Sequence, residues 1–317
     1  MEILLQIVLL IVGFTMLMKG ADWFVDGASK VADKLGIPKI VIGLTIVAFG
    51  TSAPEAAVSI SAALNGSVDL AISNVVGSNI LNVLIILGAA SVICPLNVKK
   101  SCIKFDIPIV IVLTTMLLAF GAIDGVISSL EGGIFLILLV AYIAYMIYLT
   151  KNGDASADDV ASAGENDKLW KLILIALTGG VLIVLGSDVT VDAATKIATA
   201  FGMSERLIGL TIVAFGTSLP ELVTSCMAAK KKETDIAVGN VVGSNIFNIL
   251  FVLGTTAVIM PIQYISAFVL DNVVAIAVMV ILWLFVFKKG VLGRKGGIVF
   301  LLMYVVYFVN LVVNTIA

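Results

Sequence analysis

The sequence IGLTIVAFGTSAPE (Ile42–Glu55) occurs again, almost unchanged, as IGLTIVAFGTSLPE (Ile208–Glu221). A second stretch, NVVGSNI, also occurs twice, beginning at Asn74 and at Asn240. In both cases the two copies are separated by the same 166 positions, with no insertion or deletion between them. A long internal repeat of this kind indicates that one structural unit was duplicated.

The composition is that of a chain that lies mostly in lipid. Of its 317 residues 61% are hydrophobic and 13% are charged, and the mean hydropathy is +1.18. Soluble domains are about 45–50% apolar and about 25% charged. Apolar runs of about 20 residues, long enough to cross a bilayer as a helix, recur along the chain. They do not alternate as barrel strands do. We therefore predict an all-α polytopic membrane protein. Its expected partner is the lipid bilayer, and we expect it to bind no nucleic acid.

Ten transmembrane helices are predicted from these runs. They cover residues 3–24, 40–64, 68–93, 105–123, 130–150, 169–195, 206–229, 235–260, 264–287 and 296–316. Between the fifth and the sixth lies a polar stretch rich in Ala, Ser, Asp and Gly, which is typical of a linker. The predicted organisation is a first five-helix repeat in residues 1–150, with its motif in 43–82, a linker in 151–168, and a second five-helix repeat in 169–317, with its motif in 209–248.

The odd number of helices in each repeat has a consequence for topology. Two five-helix units in tandem must cross the membrane upside down relative to each other, so we predict inverted repeats. Such repeats are typical of secondary transporters, whose substrate site lies near the bilayer midplane at the repeat interface. A duplicated scaffold that transports nothing is the plainer alternative. It explains less well why the repeated stretches are polar ones inside apolar spans.

The basic residues predict the orientation. All 19 lysines and arginines except Lys196 and Arg206 fall on one side of the predicted spans. Lysine and arginine near span ends mark the cytoplasmic side. We therefore expect a multi-pass protein of the cell membrane with both termini outside and the linker, residues 151–168, in the cytoplasm.

Glu55 and Glu221 are predicted near the middle of the second and seventh spans. A charged side chain at the bilayer centre costs about 2.5–3.5 kcal/mol on insertion scales, and the sequence places no lysine or arginine deep in any span to pair with it. Each carboxylate must be protonated, hydrated in a cavity or neutralised by a mobile cation. If the repeats bring the two together at about 5 Å, they repel by about 3 kcal/mol at an effective dielectric of 20, and a divalent cation between them removes that repulsion.

The residues around the glutamates are oxygen donors. Pro54 and Pro220 lack an N–H, so each leaves the carbonyl four residues earlier without its helix partner and should break or kink its span. Such irregular backbone is tolerated in a membrane only where it lines a cavity or is buried in protein. Carboxylates, carbonyls and hydroxyls suit Na⁺ and Ca²⁺. The hydroxyls expected there are those of Thr51, Ser52, Thr217 and Ser218.

Serine and asparagine pairs in the third and eighth spans add further oxygens. Ser78 and Asn82 are four residues apart and so share one helix face, and Ser244 and Asn248 repeat the arrangement. An asparagine inside a membrane can equally form a structural hydrogen bond between helices. From the residues alone, both interpretations of these asparagines stay open.

These motifs resemble the Ca²⁺/cation antiporter superfamily, in particular the prokaryotic type of its sodium/calcium exchanger branch. GTSAPE with GSNILN, and GTSLPE with GSNIFN, are similar to the two α-repeats of that family, and the likeness extends over essentially the whole chain. The resemblance implies exchange of Ca²⁺ for Na⁺ by alternating access. It implies no enzymatic activity and no cofactor, Ca²⁺ and Na⁺ being the transported ions, and we expect a monomer.

The resemblance also implies roles for individual residues. Glu55 and Glu221 would be the main Ca²⁺ ligands and would contact Na⁺ as well. The other implied ligands are the main-chain carbonyls of Thr51 and Thr217, then Ala48, Ser52, Ser78, Ala214, Ser218 and Ser244 at the Na⁺ sites, and Asn82 and Asn248 around the centre. Spans one and six would be sliding gates.

Three alternatives are ranked lower. Potassium-dependent members carry Asp where this chain has Asn248, which argues against K⁺ co-transport. Proton-coupled members usually carry different repeat motifs, and this chain has no histidine, so an H⁺-coupled Ca²⁺/cation antiporter is the second choice. A cation channel would use the same oxygens without coupled exchange. The remaining acidic residues near span ends are interpreted as helix caps or interfacial anchors: Asp22, Asp26, Asp188 and Asp192.

Overall fold

The computed structural model describes residues 2–66, 68–152, 168–202 and 214–316, and most of them are helical. The helices are α1 (Glu2–Leu35), α2 (Lys39–Thr51), α3 (Ala53–Leu64), α4 (Val68–Ile93), α5 (Cys102–Asp124), α6 (Ser129–Asn152), α7 (Leu169–Ala200), α8 (Ala214–Gly216), α9 (Leu219–Lys230), α10 (Thr234–Ile259), α11 (Ser266–Phe287) and α12 (Arg294–Ile316). The strands are β1 (Leu96–Asn97), β2 (Val126–Ile127), β3 (Ile262–Gln263) and β4 (Val291–Leu292).

Among these described residues, eight helices are long and apolar enough to cross a membrane, or nine if α2 and α3 form one bent span. They correspond to nine of the ten predicted spans. The remaining one, residues 206–229, begins within 203–213, which lie outside the described part of the chain, as do the first residues of the second repeat motif and Arg206. Most of the predicted linker, residues 153–167, also lies outside it.

Two helices extend beyond the predicted spans, the first and the sixth, which end at residues 24 and 195. Helix α1 continues to Leu35 and α7 to Ala200. Gly36 and Gly202 follow the two ends with φ of +64° and +80°, the left-handed conformation at which helices commonly end on glycine.

Helices α1 and α7 pack closely against each other in opposite directions. Along α1 from Gly13 to Gly27, the contacted residues of α7 run backwards from Gly186 to Ala176. At the middle of the contact a Cβ on Gly20 would lie 2.8 Å from the carbonyl oxygen of Gly179. Small residues let helices approach this closely, which is how membrane helices associate without a hydrophobic driving force.

Two short antiparallel ladders join the first half of the chain to the second. β1 pairs with β4, with Leu96 opposite Leu292, and β2 pairs with β3, with Ile127 opposite Ile262. The main-chain bonds beside the ladders correspond as well, since Val98 N donates to Gly290 O at 2.7 Å and Tyr264 N donates to Gly125 O at 2.8 Å. The halves therefore hold each other by reciprocal contacts.

Helices α4 and α10 form the centre. In their most apolar stretches 72% and 94% of the residues are buried, against 17–39% in the other long helices. Helix α2 lies against α10 through glycines, with Gly43 facing Gly239 and Gly243 facing Leu44 and Ala48. Both central helices carry polar residues, so the most buried part of the molecule is also where its repeated polar motifs lie.

Candidate cation site

Breaks in the chain place the two glutamates. Between α2 and α3 the helix axis bends by 48° at Ser52, and Pro54 lies in the first turn of α3, as the sequence predicts. Ser218, which precedes α9, has nearly the same backbone conformation, φ −92° and ψ 6°, as Ser52, φ −84° and ψ 6°. Glu55 and Glu221 follow in the first turns of α3 and α9, where the helix dipole favours a negative charge.

Each glutamate is held by the serine of the opposite half. Ser218 Oγ donates to Glu55 Oε1 at 3.1 Å, and Ser52 Oγ donates to Glu221 Oε1 at 2.7 Å. Both glutamates are only 1% exposed. Because the serine at each helix break donates a hydrogen bond to the carboxylate of the other half, the two motifs meet at one place, as the repeat predicts.

Four oxygen atoms at this centre have no hydrogen-bond partner. They are buried, and each occurs in both halves: Glu55 Oε2, Glu221 Oε2, Asn82 Oδ1 and Asn248 Oδ1. A buried acceptor without a partner costs about 1–3 kcal/mol, and more if it is charged. A bound cation can satisfy oxygens of this kind, because carboxylate and amide oxygens are ligands that Na⁺ and Ca²⁺ accept.

The remaining predicted serines lie beside these oxygens. Ser244 Oγ is 3.5 Å from Glu221 Oε1, and Ser78 Oγ is 3.3 Å from Ser218 Oγ. Ala48 is buried against Gly243 of α10. Ala214 begins α8, but its side chain lies outside the described part of the structure.

The threonine hydroxyls bond to asparagines of the opposite half. Thr51 Oγ1 donates to Asn240 Oδ1 at 2.9 Å, and Thr217 Oγ1 donates to Asn74 Oδ1 at 3.4 Å. Each hydroxyl is thus engaged with an asparagine of the other half. The Thr51 hydroxyl also interacts with the Glu221 carboxylate. The role that the family resemblance implies for both threonines is that of main-chain carbonyl ligands.

Asn74 and Asn240 were not among the predicted ligands, although each opens a repeated NVVGSNI stretch. Asn74 Nδ2 donates to Ser59 Oγ at 3.0 Å and to the main-chain oxygen of Glu55 at 3.4 Å. Asn240 Nδ2 makes the corresponding bonds, at 2.9 and 3.4 Å, in the second half. Each asparagine therefore contacts the threonine of the other half and the glutamate of its own half. The exact repetition of both asparagines was the signal that could have identified them.

The main-chain carbonyl of Gly216, which Pro220 leaves without its helix partner, accepts a hydrogen bond from a side chain. Ser187 Oγ donates to the main-chain oxygen of Gly216 at 3.0 Å. The position that corresponds to Ser187 in the first half is Ala21, which has no donor to offer to Gly50. The two helix breaks are therefore alike in backbone but not in how their loosened carbonyls are satisfied.

Lysine is kept away from the centre. In the described ranges, ion pairs join Lys39 to Glu233 and Asp33, Lys99 to Asp235, Lys196 to Asp192, and Lys231 to Asp22 and Asp26. Neither Glu55 nor Glu221 takes part. We call the end of the molecule that carries Lys39, Lys99 and Lys231 the lysine-rich end.

A cavity of about 360 Å³ lies next to the second helix break. It lies between α3, α7 and the break between α8 and α9, and Asp188, Asp192, Pro54 and Thr217 line it. Thr217 directly precedes Ser218, which donates to Glu55, so one wall of the cavity belongs to the same helix break as the site. Two further carboxylates, those of Asp188 and Asp192, face this cavity.

Comparison with known proteins agrees with this geometry. A family model described as "Sodium/calcium exchanger protein" matches residues 5–148 and again residues 171–313. The chain is 33% identical to the sodium/calcium exchanger MaX1 of Methanosarcina acetivorans, over 98% of this chain and 99% of that protein. It is 37% identical to the inner membrane protein YrbG of Escherichia coli, over 81% of each.

A solved structure is similar over the same extent. The sodium-calcium exchanger NCX_Mj, soaked with zero Na⁺ and Ca²⁺, aligns with a TM-score of 0.85 and 33% identity, covering 98% of this chain and 99% of that one. The two matches of the family model fall one in each predicted half, so the comparisons extend over both.

Proposed function

Since this chain belongs to the sodium/calcium exchanger family, we propose that it is a secondary active antiporter that exchanges Ca²⁺ for Na⁺ by alternating access. One observation carries the proposal. Two buried carboxylates from opposite halves each keep one oxygen without a hydrogen-bond partner, and the amide oxygens of Asn82 and Asn248, in the central helices α4 and α10, are in the same condition. Within the described part of the chain neither carboxylate is in an ion pair with a basic residue, so a centre with two negative charges needs a mobile cation as its counter-charge.

The exchange follows from charge balance at this centre. Glu55 and Glu221 supply two negative charges, which one Ca²⁺ balances and which Na⁺ ions balance when they replace it. Moving the centre from one side of the membrane to the other is costly while it is empty and doubly charged, because ionised groups are poorly solvated in lipid. Only a loaded centre changes sides readily, so the export of one ion species requires the entry of the other.

The proposed scaffold is ten transmembrane helices arranged as two inverted five-helix repeats, residues 1–150 and 169–317, joined by a linker, 151–168. The opposite directions of α1 and α7 support it, and so do the reciprocal strand pairs. We place the lysine-rich end and the linker in the cytoplasm and both termini outside, and we assign the protein to the inner membrane of a prokaryote. Helices α1 and α7 are the proposed gates, and the protein acts as a monomer.

The ligand set of the proposed site is the predicted one. Glu55 and Glu221 bind Ca²⁺ and Na⁺, with the main-chain oxygens of Thr51 and Thr217. The other ligand positions are Ala48, Ser52, Ser78, Asn82, Ala214, Ser218, Ser244 and Asn248. Two formal charges rather than three make K⁺ co-transport unnecessary for charge balance.

Ca²⁺ uptake into proteoliposomes tests the coupling. Purified protein is reconstituted, and uptake is measured against an imposed Na⁺, H⁺ or K⁺ gradient, with an ionophore present to clamp the membrane potential. We expect an outward Na⁺ gradient to drive uptake while the H⁺ and K⁺ gradients do not. Uptake driven by the proton gradient would replace Na⁺ by H⁺ as the coupling ion. Ca²⁺ entry that needs no counter-ion would indicate a channel.

A further inference from the structure

We propose that Asn79 and Asn245, which are not among the ligands above, are positioning residues of the cation site. They fix the amide orientation of Asn248 and Asn82, so that the carbonyl oxygen of each amide, and not its NH₂ group, faces the ion. The inference deepens the proposed function and rests on it. It follows from four hydrogen bonds between buried asparagines of the two halves.

The orientation of Asn79 and Asn245 is set by main-chain atoms. Asn79 Nδ2 lies 3.3 Å from the main-chain oxygen of Asn245, and Asn245 Nδ2 lies 3.3 Å from the main-chain oxygen of Asn79. A main-chain carbonyl can only accept a hydrogen bond, so the side-chain atom that faces it must be the amide nitrogen. Neither side chain can be reversed without bringing two acceptors together.

That constraint passes to the next pair of amides. With its nitrogen fixed, Asn245 presents Oδ1 to Asn82 Nδ2 at 2.9 Å, and Asn79 presents Oδ1 to Asn248 Nδ2 at 3.2 Å. An acceptor requires a donor opposite it, so the nitrogens of Asn82 and Asn248 are turned away from the site. Their Oδ1 atoms are then the ones left buried and unpartnered, like one oxygen of each glutamate.

The orientation matters because the two ends of an amide have nearly the same shape and opposite polarity. An Asn82 or Asn248 reversed about its last torsion would fill the same space but would point N–H groups at the ion. Each reversal therefore removes a ligand and adds a repulsion. All four asparagines are at most 6% exposed, so water cannot easily supply the missing partner.

A purely structural role is the competing explanation, because the same bonds also fasten the two halves together. The two explanations differ in one respect. If orientation is what matters, the contribution of Asn245 depends on there being an amide at position 82. A carboxylate at position 82 has two equivalent oxygens and no wrong orientation, so there Asn245 should no longer be needed.

The test is a set of Ca²⁺ titrations of purified full-length protein by calorimetry, with Asn245→Ser placed in three backgrounds. In the otherwise unchanged chain we expect about tenfold weaker binding, the loss typical of a residue that orients a metal ligand. In the Asn82→Asp background we expect Asn245→Ser to cost less than about twofold. In the matched Asn248→Asp background, which adds the same charge at the corresponding position, the loss of about tenfold should persist, because position 82 still carries an amide whose orientation Asn245 sets.

An equal loss in all three backgrounds would overturn the proposal and leave Asn245 as a structural contact only. No loss in the unchanged chain would overturn it as well. If Asn245→Ser does not fold, as judged by its melting temperature without Ca²⁺, Asn79→Ser gives the same test with the backgrounds exchanged. An unchanged chain that binds no Ca²⁺ at all would instead contradict the proposed function, so the two failures can be told apart.

Discussion

At the centre of the molecule the two halves repeat each other's contacts, whereas at the outer turns of α1 and α7 they do not. The crossed bonds from Ser52 and Ser218 to the glutamates have the same partners in both directions. At the lysine-rich end, Lys231 Nζ reaches Asp26 Oδ1 at 2.5 Å and Asp22 Oδ1 at 2.7 Å, which ties α1 to the end of α9.

The corresponding place in the other half is built differently. Asn65 stands where Lys231 would be, and its Nδ2 bonds to Ser61 O of its own helix at 2.8 Å. Asp188 and Asp192, the counterparts of Asp22 and Asp26, line the 360 Å³ cavity instead, and Asp192 pairs with Lys196 one turn further along α7. Asp22 and Asp26 were interpreted as caps or interfacial anchors; they lie in α1 as ion-pair partners of a different helix.

The difference separates two parts of the molecule. At the centre, where we propose that one ion binds between two carboxylates, both halves contribute the same contacts. At the ends the halves differ in sequence, with lysine at position 231 against asparagine at position 65, and their contacts differ accordingly.

The largest expected effect breaks the symmetry of the centre. Glu55→Gln and Glu221→Gln each remove one of two charges, and losing one partner of a buried charged contact costs about 3–5 kcal/mol. We expect Na⁺-driven Ca²⁺ uptake to fall at least about 100-fold and by similar amounts in the two variants. Uptake in proteoliposomes measures this, with the elution profile and melting temperature as controls of folding. Normal uptake by either variant would remove that glutamate from the site.

A second prediction concerns the close packing of α1 against α7. A Cβ on Gly179 would lie 2.5 Å from Phe24 N, whereas a Cβ on the neighbouring Gly180 would meet only the ring of Phe24 at 3.9 Å. We expect Gly179→Ala to destabilise the protein by about 1–3 kcal/mol through overpacking and to slow transport. Gly180→Ala is the matched control and should be neutral or slightly stabilising. Equal melting temperatures for the two would contradict the close packing described.

A third prediction concerns variants that give the two ends the same residue at positions 65 and 231. Lys231→Asn removes the tie between α1 and α9, which is partly exposed, so a loss of about 1 kcal/mol or less is expected. Amide hydrogen exchange should become faster at residues 22–35 and stay unchanged at 188–200. The reciprocal variant, Asn65→Lys, offers Asp188 and Asp192 the missing lysine and should slow exchange at 188–200. Unchanged exchange in both variants would show that Lys231 does not distinguish the ends.

The smallest expected effect is at the loosened carbonyl of Gly216. Ser187→Ala gives the second half the residue that the first half already has at Ala21, and it removes one buried hydrogen bond. We expect a loss of about 1 kcal/mol in unfolding free energy with Ca²⁺ affinity within about twofold of the unchanged chain. A loss of transport comparable to that of the glutamate variants would mean that this bond shapes the ion site itself.

The centre could be predicted from sequence because the evidence for it was local and doubled. Pro54 and Pro220 predicted the helix breaks. The lack of lysine or arginine within the predicted spans indicated that Glu55 and Glu221 have no basic partner there. The bond between Lys231 and Asp22 could not be predicted in this way. It joins positions more than 200 residues apart, and nothing in the spacing of either segment indicates which helix the other approaches.

The asparagines also show which features sequence can predict and which depend on a distant segment. That Asn82 lies on one helix face with Ser78 follows from helical spacing, but which end of its amide faces inward depends on Asn245 in the other half. Orientation is a property of the assembled pair of halves. Helices α1 and α7 extend beyond the predicted spans for a simpler reason, since each ends just before a glycine with positive φ, Gly36 and Gly202.

The four short strands bear on how the molecule could be divided. Each half carries two strands, and each of those four finds its partner only in the opposite half. A chain cut within the linker would yield two fragments, each with two open main-chain edges that its counterpart alone can cover. Such fragments are expected to reassemble when produced together, because each two-stranded ladder needs one strand from each half.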